Sequence, residues 1–305
     1  MKRIIASIAL AFASVAANAQ LIVATGIEGL TYSKTFREFK DRCESMVVLQ
    51  EKNTTGAVQN VDLLVGNQVN VAYGQLDILF MRSLTDNVTT IKTLFALYPE
   101  EVHVVALANS LLKEGGVAGF GAKQVVFNRV EDLAGRRVGA WGGSVVTAKL
   151  IKLQGNVAFE VNEYADDKAA KAALDKGEVE ALVVVGGQPL GFVSSLNRSY
   201  KLLPFSDELQ GKLANVYTKS RLNYGNIGAT GVQTVATEAG LYAREYKTPR
   251  MVAALAAMRQ CFYDNIDDLK ETTGTHPKWQ AVDSANKGKW AWMDLPQPAK
   301  QTAKK

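Results

Sequence analysis

The segment LIVATGIEGLTY (Leu21–Tyr32) has the residue types of an anion-binding loop. An apolar, β-branched run leads into a turn that carries Gly26 and Gly29, and a charged, helix-like segment follows. A strand, a glycine-bearing loop and a helix start expose backbone N–H groups that can bind a phosphate or a carboxylate. The loop matches neither G-x-x-x-x-G-K-[ST] nor G-x-G-x-x-G, so its letters do not indicate a nucleotide site. A tight turn without a ligand is the alternative.

Three more candidate strands end in polar, glycine-rich segments, which are Gly74-Gln75, Gly142-Gly143-Ser144 and Gly186-Gly187-Gln188. In open α/β sheets, ligands bind beyond the C-terminal ends of the strands. Because the four segments divide between two sets of elements along the chain, they predict a ligand-binding cleft between two lobes.

The candidate ligand-binding residues come from these segments, with one histidine and one tryptophan added. They are Thr25, Gly26, Glu28, Gly29, Thr31, Tyr32, Gln75, His103, Trp141, Gly142, Gly143, Ser144 and Gln188. Some have alternative roles that need no ligand: Tyr32 can pack beneath the loop, Ser144 can cap its helix, and His103 can lie in the core or between the lobes. We predict no catalytic residue, metal site or cofactor, because the two histidines are far apart in sequence and C-x-x-C, H-E-x-x-H and G-x-S-x-G are absent.

Strand-like and helix-like patterns alternate in two similar sets, which predicts an α/β fold of two lobes. The run KTLFALYPEEVHVVALA reads as two strands. We assign residues 20–104 and 233–286 to lobe 1 and residues 105–232 to lobe 2. The chain is expected to cross between the lobes near Val105-Ala106 and Gly231–Val235.

The charge of the protein is concentrated at its ends. The formal net charge is +5, but Lys2, Arg3 and the Pro- and Lys-rich segment 287–305 account for all of the excess. The remaining body is close to neutral, so a nucleic-acid partner is not expected. We predict that residues 287–305 form a disordered tail.

The first 19 residues, MKRIIASIALAFASVAANA, have the features of a secretory signal peptide. Lys2 and Arg3 precede a mostly apolar run, and Ala17-Asn18-Ala19 is an A-x-A cleavage site. The apolar run is too short to span a bilayer. Cleavage after Ala19 would release an exported mature protein.

Several motifs together resemble the TAXI family of periplasmic solute-binding proteins, which serve TRAP transporters. ATGIEGLTYS resembles the family's opening loop T-G-G-x-G-G-x-Y-Y, and LFALYPEEVHVVA resembles its L-Y-P-x-x-x-H stretch. GAVQNVDLLVGNQVNVAYGQLD, VEDLAGRRVGAWGGS and VVGGQP resemble its first helix–strand segment, its second glycine loop and its turn before a proline. The resemblance extends over residues 21–283.

This resemblance implies a type II periplasmic-binding-protein fold, with a hinged cleft that closes over a small organic acid or an amino acid. It also implies that the membrane permease of a TRAP transporter is the partner. Glu28 stands where the family has a small or hydroxyl residue, and Gly143-Ser144 inverts the family's Ser-Gly order. A Glu28 carboxylate in the cleft would repel an anion and attract an ammonium group.

We therefore predict a periplasmic receptor that captures such a solute for transport, and not an enzyme. A periplasmic sensor or scaffold that regulates a partner through the same cleft is one alternative. An enzyme built on this fold is the other. A neighbouring gene for a fused permease would favour transport, a sensor-kinase gene would favour sensing, and turnover of a metabolite would favour catalysis.

Cys43 and Cys261, the two cysteines of the chain, are predicted to form a disulfide. Cys43 ends the first predicted helix, and Cys261 lies in a C-terminal helix that is expected to return to lobe 1. Export into an oxidising compartment favours the bond. Two buried, unpaired cysteines are the alternative.

Overall fold

The computed structural model describes residues 19–115 and 121–296. The predicted signal peptide lies outside the described residues except for Ala19, so its cleavage stays a prediction. Within the described ranges, no helix is long and apolar enough to cross a membrane.

Strands and helices alternate along the chain as the sequence predicts. The strands are β1 (Leu21–Ala24), β2 (Leu49–Lys52), β3 (Val71–Gln75), β4 (Ile91–Leu107), β5 (Lys113–Glu114), β6 (Lys123–Gln124), β7 (Arg137–Trp141), β8 (Glu160–Tyr164), β9 (Ala181–Gly186), β10 (Tyr200–Leu202), β11 (Thr218–Tyr224) and β12 (Ala229–Arg244). The helices are α1 (Thr31–Cys43), α2 (Ala57–Val65), α3 (Leu76–Ser83), α4 (Gly143–Gly155), α5 (Asp167–Lys176), α6 (Gly191–Ser194), α7 (Asp207–Lys212) and α8 (Pro249–Glu271). Short 3-10 helices occur at Val130–Leu133, Gly225–Ile227 and Pro277–Ala281.

One ten-stranded sheet runs through both lobes in the order β2-β1-β3-β12-β4-β9-β7-β8, with β10 beside β4 and β11 beside β12. In lobe 1, β1 pairs in parallel with β2 and β3. In lobe 2, β7 pairs in parallel with β8 and β9. Parallel neighbours need crossover connections, which the intervening helices supply. The predicted α/β fold of two lobes is confirmed.

The long antiparallel strands β4 and β12 carry the chain from one lobe to the other. On β4, Glu101 pairs with both β12 and β9. On β12, Ala236 still pairs with β11, whereas Ala239 pairs with β3. The predicted crossings at Val105-Ala106 and Gly231–Val235 therefore fall inside lobe 2, because cross-strand pairing and not the local apolar pattern decides where a strand changes lobe.

The apolar run at residues 91–107 forms one continuous strand, β4, where the sequence suggested two. Pro99 lies opposite Glu238, next to a shift of register between Glu238 and Gly240. A proline has no N–H to donate, and an irregularity of this kind tolerates it within a strand.

Helices α1 and α8 cover one face of the lobe 1 sheet. The rings of Phe95 and Phe262 stack there with their centroids 4.0 Å apart, and Phe39 packs edge-on against both. Cys43 on α1 and Cys261 on α8 are fully buried and form a disulfide with a Cα–Cα distance of 5.8 Å. The predicted pairing of the two cysteines is confirmed.

The described part of the predicted C-terminal tail packs against the folded body. The Trp290 indole N–H donates to the Ile91 carbonyl over 2.8 Å, and the Met293 N–H donates to the Thr93 carbonyl over 3.0 Å. The Met293 side chain is buried in the lobe 1 core. The predicted boundary at residue 287 is therefore too early, because these tryptophan and methionine side chains gain burial on the sheet. Residues 297–305 lie outside the described residues.

Helix α3 connects the two lobes through a buried carboxylate. Asp77 Oδ2 accepts hydrogen bonds from the Thr147 hydroxyl over 2.5 Å and from the Tyr217 hydroxyl over 2.9 Å, and both donors belong to lobe 2. Burial raises the pKa of the Asp77 carboxyl. The two hydrogen bonds compensate part of the cost of removing this group from water.

Candidate ligand-binding cleft

A cavity of about 350 Å³ lies between the lobes, where the carboxyl ends of several strands meet. Its lining from lobe 1 comprises Gly26, Ile27, Leu30, Thr31, Tyr32, Thr55, Gly56, Ala57, Gln75 and Glu100. Its lining from lobe 2 comprises Trp141, Gly142, Gly143, Ser144 and Val185.

Three helices begin at this cavity. Their N-cap residues are Leu30 for α1, Gly56 for α2 and Gly142 for α4, and in the described chain none of these caps its helix with a side chain. The first-turn N–H groups of a helix have no partner within that helix, and they carry the positive end of its dipole. Three such ends around one cavity form a polar wall that suits an anionic group.

Glu100 lies at the floor of the cavity, on the crossing strand β4, and is buried. Its Oε2 accepts hydrogen bonds from the Tyr32 hydroxyl, over 3.3 Å, and from the Gln75 amide. Within the described ranges, Oε1 accepts no hydrogen bond from another residue. One carboxylate oxygen is therefore held by the protein, and the other is free for a ligand.

The ionisation of Glu100 is strongly influenced by its surroundings. Burial raises the pKa of this carboxyl to about 7, and the nearby Asp77 charge adds to the rise. The hydrogen bonds from Gln75 and Tyr32 and the charge of Lys278 act in the opposite direction. Burial also holds the pKa of Tyr32 well above its usual value, so its hydroxyl remains a donor to Glu100.

A second cavity, of about 620 Å³, adjoins the first and shares Thr31 and Glu100 with it. Its lobe 2 wall is the turn from Gly186 to Gly191, and its lobe 1 wall includes the short helix at Pro277–Ala281. Lys278 Nζ donates to the Gln188 carbonyl over 2.9 Å and joins these two walls.

The structure brings most of the predicted residues together. Around the first cavity lie Gly26, Thr31, Tyr32, Gln75, Trp141, Gly142, Gly143 and Ser144. Gln188 lines the second cavity, where its backbone N–H donates to Glu101 Oε2 over 2.7 Å. The Ser144 hydroxyl accepts the Val185 N–H over 3.0 Å, so it has a structural partner from β9. Contact of these residues with a ligand stays a prediction.

Two residues of the opening loop have side chains that bind other protein groups. The Thr25 hydroxyl is fully buried and donates to Glu51 Oε1 over 2.9 Å. The Glu28 side chain is 70% exposed and pairs with Arg37 over 2.8 Å. Neither residue lines the described cavities, because each finds its hydrogen-bond partner on another side of the loop.

Gly29 and His103 also lie away from the described cavities. Gly29 has a φ of 78° and allows the tight turn before α1. His103 is fully buried, and its Nε2 lies 2.8 Å from the Tyr224 hydroxyl. Burial lowers its pKa to about 4, so the imidazole is neutral and belongs to the core of lobe 2.

Sequence reasoning missed Glu100 and the start of α2, which line the cavity at Thr55, Gly56 and Ala57. The signal for Glu100 was the pair of carboxylates, Glu100-Glu101, within an otherwise apolar strand. Buried acidic residues are rare unless a partner or a function retains them. The start of α2 carried no comparable local signal.

Within the residues described here, no group of three or more His, Cys, Asp and Glu side chains is placed to hold a metal ion.

The fold is that of two-lobe amino-acid-binding proteins. An ancestral arginine-binding protein bound to arginine has a TM-score of 0.50 at 14% identity, with 82% of this chain and 93% of that chain covered. A protein from Bordetella bronchiseptica RB50 has a TM-score of 0.50 at 18% identity, with 87% and 76% covered. A protein bound to L-arginine has a TM-score of 0.50 at 11% identity, with 88% and 94% covered. At these identities the likeness concerns the fold alone.

The chain belongs to the NMT1-like family, which matches residues 35–293. The match includes most of lobe 1, all of lobe 2, both crossing strands and both cysteines.

Proposed function

We propose that this protein is a periplasmic receptor that captures a small carboxylated solute or an amino acid between its lobes. The observation that carries the proposal is the convergence of three uncapped helix starts on one cavity between two lobes. Such a wall binds a carboxylate through backbone N–H groups, without needing a cationic side chain.

We further propose that the receptor delivers its solute to a TRAP-type permease. This proposal is supported by the TAXI-like motifs, among which the opening loop and the second glycine loop both border the cavity. The signal-like segment at residues 1–19 supports a periplasmic location. A permease gene of the TRAP type next to the gene for this protein would strengthen the assignment.

We expect ligand binding to close the two lobes about the crossings at Glu101 and Ala236. Rigid lobes joined by two strands move as bodies, and a few residues at the crossings absorb the change. Native mass spectrometry of protein purified without denaturation should detect a retained solute. Small-angle X-ray scattering with that solute, or with a binding member of a panel of L-amino acids and small dicarboxylates, should then report a smaller radius of gyration.

A wedge in the cleft provides the control for closure. A Cβ atom on Gly143 would lie 2.9 Å from Gln75 Oε1 in lobe 1. Gly143→Leu should therefore hold the lobes apart, weaken binding by about 10- to 100-fold and abolish the compaction. Gly211→Leu is the matched control, because a Cβ there meets nothing within 4 Å. If the wild-type protein binds a solute and its radius of gyration does not change, closure is contradicted. If no solute is retained and none of the panel binds, the receptor function is wrong.

A further inference from the structure

One part of the first cavity is apolar and incompletely covered. Ile27 and Leu30 line it from lobe 1 and are 53% and 58% exposed. Exposed apolar side chains grouped beside a cleft are typical of ligand-binding grooves. Trp141 and Val185 line the same part of the cavity from lobe 2. Closure of the lobes over an apolar group would remove these surfaces from water.

The charges around the first cavity are one-sided. Among the described residues that line it, Glu100 is the sole charged side chain, and there is no Lys, Arg or His. A single carboxylate of a ligand can bind at the helix starts. A second carboxylate would be desolvated beside Glu100 without a cationic partner, which is unfavourable.

Resting on the proposed receptor function, we propose that the ligand is a neutral α-amino acid with a large apolar side chain. Its carboxylate binds the N–H groups at the starts of α1, α2 and α4. Its ammonium group binds the free Oε1 of Glu100. Its side chain lies between Ile27 and Leu30 on one lobe and Trp141 on the other.

The hydrogen bonding of Glu100 supports this arrangement. A buried carboxylate ordinarily has a cationic partner, and this one has two neutral donors on a single oxygen. Lys278, whose charge lowers the pKa of Glu100, donates its hydrogen bond to the Gln188 carbonyl and not to this carboxylate. A ligand ammonium would therefore supply the missing partner of Glu100.

The size of the cavity agrees with this class of ligand. About 350 Å³ is within the range of small-molecule sites and accommodates a leucine- or phenylalanine-sized amino acid. An acidic amino acid would have to send its side chain past Glu100 towards Lys278 in the second cavity. Tight binding of L-glutamate would indicate that second binding mode.

Titration calorimetry at pH 8 distinguishes a site for apolar amino acids from a site for acidic ligands. We expect L-leucine and L-phenylalanine to bind more tightly than L-glutamate and succinate. The analogues of L-leucine and L-phenylalanine that lack the amino group are 4-methylpentanoate and 3-phenylpropanoate. Each should bind about 10- to 100-fold more weakly than its parent amino acid, because it loses a hydrogen bond between charged groups.

Two variants test the contact of the ligand ammonium group with Glu100 and the contact of its side chain with Ile27. Glu100→Gln should reduce the affinity for L-leucine and L-phenylalanine to that of their deaminated analogues, whereas Glu28→Gln, at an exposed glutamate outside the cavity, should leave it unchanged. Ile27→Ser should weaken binding of L-phenylalanine more than binding of L-alanine. The comparison of ligands on the unmodified protein stands even if a variant does not fold.

Tighter binding of L-glutamate or succinate than of L-leucine and L-phenylalanine would overturn this inference and leave the receptor function intact. Equal affinity for L-leucine and 4-methylpentanoate would overturn the role of Glu100. A protein that binds no solute of either class and retains none on purification would contradict the receptor function itself.

Discussion

Replacing both Cys43 and Cys261 by alanine is expected to lower the free energy of unfolding by about 5 kcal/mol, as the chain-entropy relation gives for so long a loop. The disulfide closes a loop between residues separated by 218 positions. Most of this stabilisation comes from restricting the unfolded chain. In the unfolded state the bond holds residues 43 and 261 together, so the chain between them has fewer accessible conformations. Urea unfolding of the variant and the oxidised protein measures the difference.

Reduced wild-type protein is the control for this experiment, since it retains both sulfur atoms without the bond. Alanine is chosen over serine because a buried hydroxyl without a partner would add its own cost. The bond lies within lobe 1, away from both crossings, so affinity for a bound solute should be unchanged. A loss below about 1 kcal/mol in both the variant and the reduced protein would contradict a stabilising role for the bond.

Elements with complete local signals can be predicted from the sequence. Helix α5 illustrates this, because Asp166 caps its start by accepting the Ala169 N–H and Gly177 ends it in the left-handed conformation. The helical spacing of Phe36, Phe39 and Cys43 likewise marks the buried face of α1. Capping residues and helical periodicity act within a few positions, so a sequence records them directly.

Features that depend on pairing between distant segments were harder to predict. The run KTLFALYPEEVHVVALA reads as two strands, but it forms one, because the irregular register next to Glu238 accommodates Pro99. The side chain of Glu28 follows Arg37 outward, and nothing in the loop sequence itself selects that direction. The glycine-rich strand ends indicated the rim of the cleft, whereas its floor at Glu100 depends on where β4 crosses between the lobes.

Ligand-free Glu100→Gln protein is expected to gain stability relative to wild type as the pH rises. In the folded protein the Glu100 pKa is about 7, compared with a reference value of 4.5. The folded state therefore holds this proton more tightly than the unfolded state does. The resulting stabilisation is fully present below about pH 4.5 and is lost as the pH rises through about 7. Glutamine does not ionise, so the variant escapes this loss.

The pKa difference corresponds to about 3 kcal/mol, as an order of magnitude for a buried group. Urea unfolding at pH 4.5 and pH 8.5 should therefore give a variant-minus-wild-type difference that increases by about this amount. Other titrating groups near Glu100, including Asp77, Tyr32 and Lys278, are present in both proteins. Glu28→Gln, measured in parallel, controls for the loss of an exposed glutamate.

Saturation with a ligand that carries an ammonium group should reverse the order of stability at pH 8.5. Wild-type protein then gains the charge pair with Glu100, while the variant gains only the contacts of the carboxylate and the side chain. Below pH 7 the wild-type affinity for the same ligand should fall, since Glu100 must lose its proton to form the pair. A difference in stability that is independent of pH would contradict the raised pKa of Glu100. A difference that instead keeps growing above pH 8.5, and that does not respond to the ligand, would mean that the protein alone holds Glu100 neutral. In that case the cleft would lack the anionic floor on which recognition of an amino group depends.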